Sequence, residues 1–251
     1  MRPDEYRFLY ELEERHWWFV GMRRVVASLL DRDLPAGALQ ILDAGCGTGF
    51  MLTWLRRYGS NPSVYGLDRD PAALEYSAHR GEKRLVRGKV EALPFAADFF
   101  DLVTSFDVIY ALPEREAKES FRELARVVKQ GGLVLIRVPA FGFLYSQHDR
   151  AVDTQHRYTR KELQARLEEQ GLKVVRITYA NSILFPLVLL WRGLSRSNRS
   201  DPQSDVRPLP RLLRWLNPIL GWLFALEAVW LRRLPFRLAV GVSVIALARK
   251  A

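Results

Sequence analysis

The sequence predicts an α/β fold, a mostly parallel sheet of seven strands with helices on both faces. Short apolar runs alternate with helical stretches along most of the chain, the pattern of strands joined by right-handed crossovers. Residues 41–49 read Ile-Leu-Asp-Ala-Gly-Cys-Gly-Thr-Gly, a strand that runs into an acid and then three glycines at alternate positions. A second apolar run, Val64-Tyr-Gly-Leu67, ends in Asp68, 19 residues after Gly49.

The elements follow in order. Residues 4–32 read as one helix, with Leu9, Leu12, His16, Phe19, Arg23, Val26 and Leu30 spaced by three and four. Its Trp17-Trp18-Phe19 cluster reads either as a lid over a ligand or as packing of the arm on the sheet. Strands are expected at 39–44, 64–68, 84–87, 101–106 and 133–138. Asp70-Pro71 is an N-cap and first-turn pair, and Gly131-Gly132 breaks a helix ending near Lys129. After Pro139 comes a loop of about 20 residues, longer than a plain connection. Thr159-Arg-Lys-Glu162 reads as a capping box opening a helix that closes at Gly171. Strands at 173–179 and 241–248 complete the sheet, and ligands are expected at the strands' carboxyl ends.

Chemistry concentrates in the glycine turn. Alternate glycines let the turn bend tightly and expose its backbone to a ligand. Asp68 is placed to accept two ribose hydroxyls, so the pair points to a nucleoside-bearing cofactor. A dinucleotide turn has its last glycine where this chain has Phe50, and no Lys-Ser/Thr of a triphosphate loop follows. Asp43 would repel a diphosphate but not an ammonium or sulfonium group. By charge, S-adenosylmethionine fits better than NAD. The plainer alternative is a turn that merely links strand and helix.

On these residues the chain resembles the class I S-adenosylmethionine-dependent methyltransferases of the small-molecule type. Leu42-Asp-Ala-Gly-Cys-Gly-Thr-Gly49, Gly66-Leu-Asp-Arg-Asp-Pro71, Gly88-Lys-Val-Glu-Ala-Leu-Pro-Phe95, Phe100-Asp-Leu-Val-Thr-Ser-Phe-Asp107 and Val127–Ile136 match its successive motifs. The resemblance implies a Rossmann-like sheet with an antiparallel last strand and an N-terminal helix covering the cofactor cleft. It implies a cofactor site of Asp43, Gly45, Cys46, Gly47, Thr48, Gly49, Asp68, Arg69, Val90, Glu91, Ser105 and Phe106, with S-adenosylhomocysteine as product. Lys89 stands where relatives place an acid beside adenine, with Glu91 two residues on. Tyr110-Ala111 stands where they often carry Glu-His.

The domains expected are an arm or lid (1–37), the cofactor domain (38–180 and 237–251) and a helical insert (181–236) where the family has a tight connection. Ile183–Trp191 is uniformly apolar, 192–211 reads as a mobile Arg/Ser/Pro linker, and Leu212–Leu231 is apolar nearly all round. Residues 181–240 hold nine arginines, three acids and four of the seven tryptophans. Arginine and tryptophan beside an apolar helix suit an element lying in a membrane interface. Packing on the sheet and dimerisation are the other readings. Neither run is a clean membrane span.

The net charge of +10 predicts attraction to nucleic acid, anionic lipid or a phosphorylated substrate. A single cysteine and a polar N-terminus fit a cytoplasmic protein, with peripheral contact at the inner face of the membrane through 183–236. Within the long loop, His148 and His156 are the candidate bases, with Asp149 or Asp153 to orient one. Arg157 and Tyr158 are candidates to hold a substrate anion. Each of these residues also reads as a brace of the loop. No metal is expected, although the His/Asp cluster could ligate one. The favoured function is O- or C-methylation of a small hydrophobic or lipid-linked acceptor. An RNA methyltransferase and an inactive cofactor-binding subunit are the alternatives. Nucleic acid is the less favoured partner, because no RNA-binding module or Asn-Pro-Pro-Tyr-like tetrapeptide is recognised.

Overall fold

The computed structural model describes residues 3–195, 215–233 and 238–251. Seven strands, β1 (Gln40–Ala44), β2 (Ser63–Asp68), β3 (Leu85–Arg87), β4 (Phe100–Phe106), β5 (Val128–Pro139), β6 (Leu172–Ala180) and β7 (Ser243–Lys250), are joined by helices. They form one sheet in the order β3-β2-β1-β4-β5-β7-β6. β1 to β5 pair in parallel, and β7 runs antiparallel to β5 and β6.

Successive residues of a strand face opposite sides, and both sides are apolar. Leu42, Val103 and Val134 pack with Phe121 of α5 (Glu114–Val127) and Leu163 of α7 (Arg160–Glu168). Ile41, Leu102 and Leu135 pack on the other side with Met22 and Leu29 of α2 (Trp17–Leu30) and Phe224 of α9 (Leu216–Arg233). A half-apolar helix covers each hydrophobic face, which explains the near-continuous apolar runs of the central strands.

The arm differs from the single helix expected. It is α1 (Pro3–Leu12) followed by α2, because His16 takes an extended conformation and its ring nitrogen caps Trp18 N–H at 3.4 Å. The helix expected to reach Lys129 ends at Val127, and Val128 already pairs with Phe100. Gly131, at φ +74°, lies inside β5 rather than capping the helix. Thr159 caps α7 by accepting from Glu162 N–H at 3.2 Å, but the Glu162 carboxylate binds His156 instead of closing a capping box. A full capping box stands at Ser146 and Asp149, opening α6 (Gln147–Ala151) within the long loop.

In the insert, α8 (Phe185–Ser195) takes up residues 185–191 of the apolar run and residues 192–195 of the expected linker. The rest of that linker and Leu212–Arg214 lie outside the described residues, as does the boundary at 236–237. Phe224 of α9 sits against α2 so closely that a Cβ on Gly21 would lie 2.2 Å from its ring.

Candidate active site

The glycine turn leaves β1 and enters α3 (Phe50–Leu55) under tight steric control. A Cβ on Gly45, at φ +89°, would meet Val108 at 2.2 Å; one on Gly49, at φ +87°, would meet Ser77 Oγ at 2.6 Å. A Cβ on Gly47 would meet only Leu9 of α1, at 3.7 Å, so this side of the turn is roomier. Ser77 Oγ donates to the Gly47 carbonyl at 2.9 Å from α4 (Pro71–His79), and Arg80 Nε donates to the Thr48 carbonyl at 3.0 Å.

Asp68 closes the turn from β2. Its two carboxylate oxygens accept from Gly47 N–H at 2.9 Å and Asp70 N–H at 3.0 Å. Each oxygen keeps acceptor capacity for a ribose hydroxyl. Burial pushes the Asp68 pKa up, against the pull of those two N–H bonds.

Asp43 lies beneath the turn, 2% exposed. Its hydrogen-bond partner is a hydroxyl, Thr104 Oγ1 at 2.7 Å. Burial pushes its pKa up to about 7, opposed by Thr104 and by the charge of Arg137. Arg137 itself pairs with Asp107 at 2.5 Å and lies over the rings of Trp18 at 4.9 Å and Phe106 at 5.2 Å. Ser105 Oγ bonds the Ala44 carbonyl at 3.0 Å and so ties β4 to β1.

The arm closes the other side. Thr48 Oγ1 donates to Glu13 at 2.5 Å, and Arg80 pairs with Glu13 at 3.0 Å and Glu14 at 2.5 Å. The Arg80 guanidinium lies 4.1 Å from the Tyr10 ring centroid. Arg23 donates to the Glu13 and Glu14 carbonyls and stacks over Phe50 at 4.4 Å. Burial pushes Glu13 up while Thr48 and Arg80 pull it down. Glu13, Arg80, Arg137 and Asp107 escaped the sequence reading: their partners are far apart in the chain, and no spacing signals them.

Among the remaining expected cofactor residues, Cys46 is buried, with its thiol pKa pushed well up by burial. Val90 belongs to the core, Glu91 pairs with Lys89 at 3.5 Å, and Arg69 is exposed.

The long loop is braced internally. Arg157 and Asp149 form a two-pronged pair at 2.8 and 3.1 Å, with side chains 2% and 1% exposed. Arg157 also donates to the Ala140 carbonyl at 2.7 Å. Tyr158 is buried against Phe121 and His156. These two residues, expected to grip a substrate anion, instead spend their hydrogen-bonding and packing on the loop. His156 is half-buried with Nε2 2.7 Å from Glu162, and its backbone N–H bonds the Tyr110 carbonyl. His148 lies on α6, half-buried, and Asp153 is exposed at φ +55°. Among the described residues no group of three or more His, Cys, Asp or Glu is arranged to hold a metal ion.

A family described as a methyltransferase domain matches residues 42–136. The chain is 40% identical over 116 residues to the tRNA (carboxymethyluridine(34)-5-O)-methyltransferase of Arabidopsis thaliana, covering 45% of this chain and 26% of the relative. It is 34% identical over 126 residues to the malonyl-(acyl-carrier protein) O-methyltransferase of Herminiimonas arsenicoxydans, covering 50% and 47%. The chain thus spans half or less of the length of these relatives. A chain from the solved complex between the Haloferax volcanii Trm112 methyltransferase activator and its partner shares the fold with a TM-score of 0.61 at 18% identity, over 96% of this chain and 92% of that one. The alternating-glycine turn, Asp43 and Asp68 all lie inside the segment 42–136 that matches the methyltransferase domain, and the chain shares its fold with solved S-adenosylmethionine-dependent methyltransferases.

Proposed function

We propose that the chain transfers the methyl group of S-adenosylmethionine to a small hydrophobic or lipid-linked acceptor, by O- or C-methylation, at the inner face of a membrane. The observation that carries the cofactor half is Asp43, a buried acid whose hydrogen-bond partner is a hydroxyl rather than a cation. A positively charged ligand favours its ionised form. The cofactor supplies a sulfonium methyl that is already electrophilic.

Asp68 and the turn amides would hold the adenosyl group, and Trp18, Phe106 and the Arg137–Asp107 pair border the strand ends where the acceptor would sit. Alignment of the acceptor contributes about 7–11 kcal/mol. His148 or His156 would take the proton from an acceptor hydroxyl, worth roughly 10²–10⁴ in rate. The exposed apolar side chains of α8 and α9 favour a hydrophobic acceptor. Among the described residues no helix is long and apolar enough to cross a membrane.

The net charge and the plant tRNA relative favour a second reading, an RNA methyltransferase. Incubation of the protein with radiolabelled methyl donor and either a lipid extract or total RNA tests both. Label in the organic phase, lost in His148→Ala or His156→Ala, is expected. Label in RNA alone would overturn the proposal.

A further inference from the structure

We propose that the face built by α2 and α9 docks on an anionic lipid bilayer, with the tryptophans of α9 entering the headgroup region and the arginines beside them binding lipid phosphates. This deepens the membrane-facing reading above and rests on it.

The helix α9 has three sides. Phe224, Glu227, Ala228 and Leu231 are buried, so the helix is firmly seated on the fold. Away from that side, Trp215, Trp222 and Trp230 are 63%, 60% and 58% exposed, and Ile219 and Leu226 between them are also exposed. Positions 215, 219, 222, 226 and 230 follow the spacing of one helix face. A helix that is seated by one side yet leaves two tryptophans in solvent, with a third just before its first residue, is unusual for a protein surface.

The third side says what covers that face. Two adjoining clefts, of about 430 and 450 Å³, run between α9 and α2. Their charged lining is Arg23, Arg24, Arg57, Arg232 and Asp31 in the first, and Arg15 and Arg24 in the second. Asp31 pairs with Arg232 at 3.5 Å, so the surplus is strongly positive. A second copy docking here would bring like charges together. RNA would satisfy the arginines and could stack on the tryptophans, but it would leave the exposed aliphatic side chains of Ile219, Leu226 and Val229 between them in water. An anionic bilayer satisfies both: tryptophan at the interface, arginine on phosphate, aliphatic side chains below. Because α2 follows α1, which lies over the glycine turn, docking would set the cofactor site near the bilayer.

Flotation with phosphatidylcholine vesicles, with and without phosphatidylglycerol, tests this. The protein should float with the anionic vesicles and much less with the zwitterionic ones. Trp222→Ser/Trp230→Ser changes exposed side chains only and should weaken binding about tenfold per tryptophan. Arg15→Gln/Arg57→Gln should weaken binding roughly thirtyfold on anionic vesicles, with little effect on the rest. Circular dichroism checks that each variant is folded. Binding indifferent to phosphatidylglycerol and to both variants overturns the proposal. So does a lipid-free dimer that the tryptophan variant dissolves. Failure to float, with methylation of a lipid-extract acceptor in detergent intact, sinks the docking face alone. Flotation with label only in RNA sinks the acceptor reading alone.

Discussion

Thr48 donates a 2.5 Å hydrogen bond to Glu13, 35 residues earlier, and both side chains are buried. The bond locks α1 onto the cofactor turn, and Arg80 completes the lock with its own pair to Glu13 at 3.0 Å. Glu13→Ala leaves Thr48 and part of Arg80 without partners in a buried setting, at a cost of about 3 kcal/mol. The arm then closes less of the time, and cofactor affinity falls with the closed fraction. A roughly tenfold rise in Kd for S-adenosylmethionine by calorimetry is expected, with a lower Tm. Glu13→Gln keeps an acceptor for Thr48 and should lie between the two.

Burial pushes the Asp43 carboxyl up to about 7 in the fold, well above the usual carboxylate range. An acid with a raised folded pKa destabilises the fold as pH climbs from its unfolded value to its folded one, because the unfolded chain releases the proton first. Asp43→Asn should therefore be more stable than wild type above about pH 7, retaining the Thr104 bond. It should also bind S-adenosylmethionine about one to two orders of magnitude more weakly. In wild type, affinity should rise as pH passes through about 7, with proton release on binding; in the variant both should vanish. Calorimetry in buffers of different ionisation heat reads this out.

The sheet was legible because its signals are local: apolar runs, glycine-bearing turns and the spacing of Asp68 all act within about 30 residues of sequence, the size of one strand-helix-strand unit. The glycine turn and the antiparallel last strand appear where expected. What stayed hidden depends on distant partners. In sequence Arg157 reads equally as an anion grip or a loop brace; only folding shows that it pairs with Asp149. His16 sits at helical spacing, yet it caps α2 and breaks the arm. Glu227 lies in an otherwise apolar stretch of sequence, and nothing nearby names its partners.

The Arg157–Asp149 pair predicts a sharp asymmetry in stability. Breaking a buried pair by removing one partner costs about 3–5 kcal/mol, so Asp149→Asn should destabilise by that order in urea denaturation. Arg157 pulls the Asp149 pKa below its usual value despite burial. A depressed acid stabilises the fold above its unfolded pKa and loses that contribution as pH falls through the folded one. Wild type should therefore lose stability on acidification below about pH 4 more steeply than Asp149→Asn.

Glu227 carries the seating of α9. Its carboxylate accepts from Asn181 N–H at 2.6 Å, Ser182 N–H at 2.7 Å and Ile183 N–H at 3.4 Å, at the end of β6. Burial pushes its pKa up while those N–H groups oppose the shift. Both oxygens are engaged, so Glu227→Gln must turn an amide NH2 toward at least one backbone N–H. An isosteric change should therefore cost nearly as much as Glu227→Ala, about 2–4 kcal/mol in urea denaturation. A merely space-filling Glu227 would tolerate glutamine, and equal stability of Glu227→Gln and wild type would show that. Phe224 still anchors the helix to α2 in either variant, so the sheet should survive. Proteolysis near α9 should quicken, and vesicle binding should weaken in proportion to the fraction of molecules with α9 released.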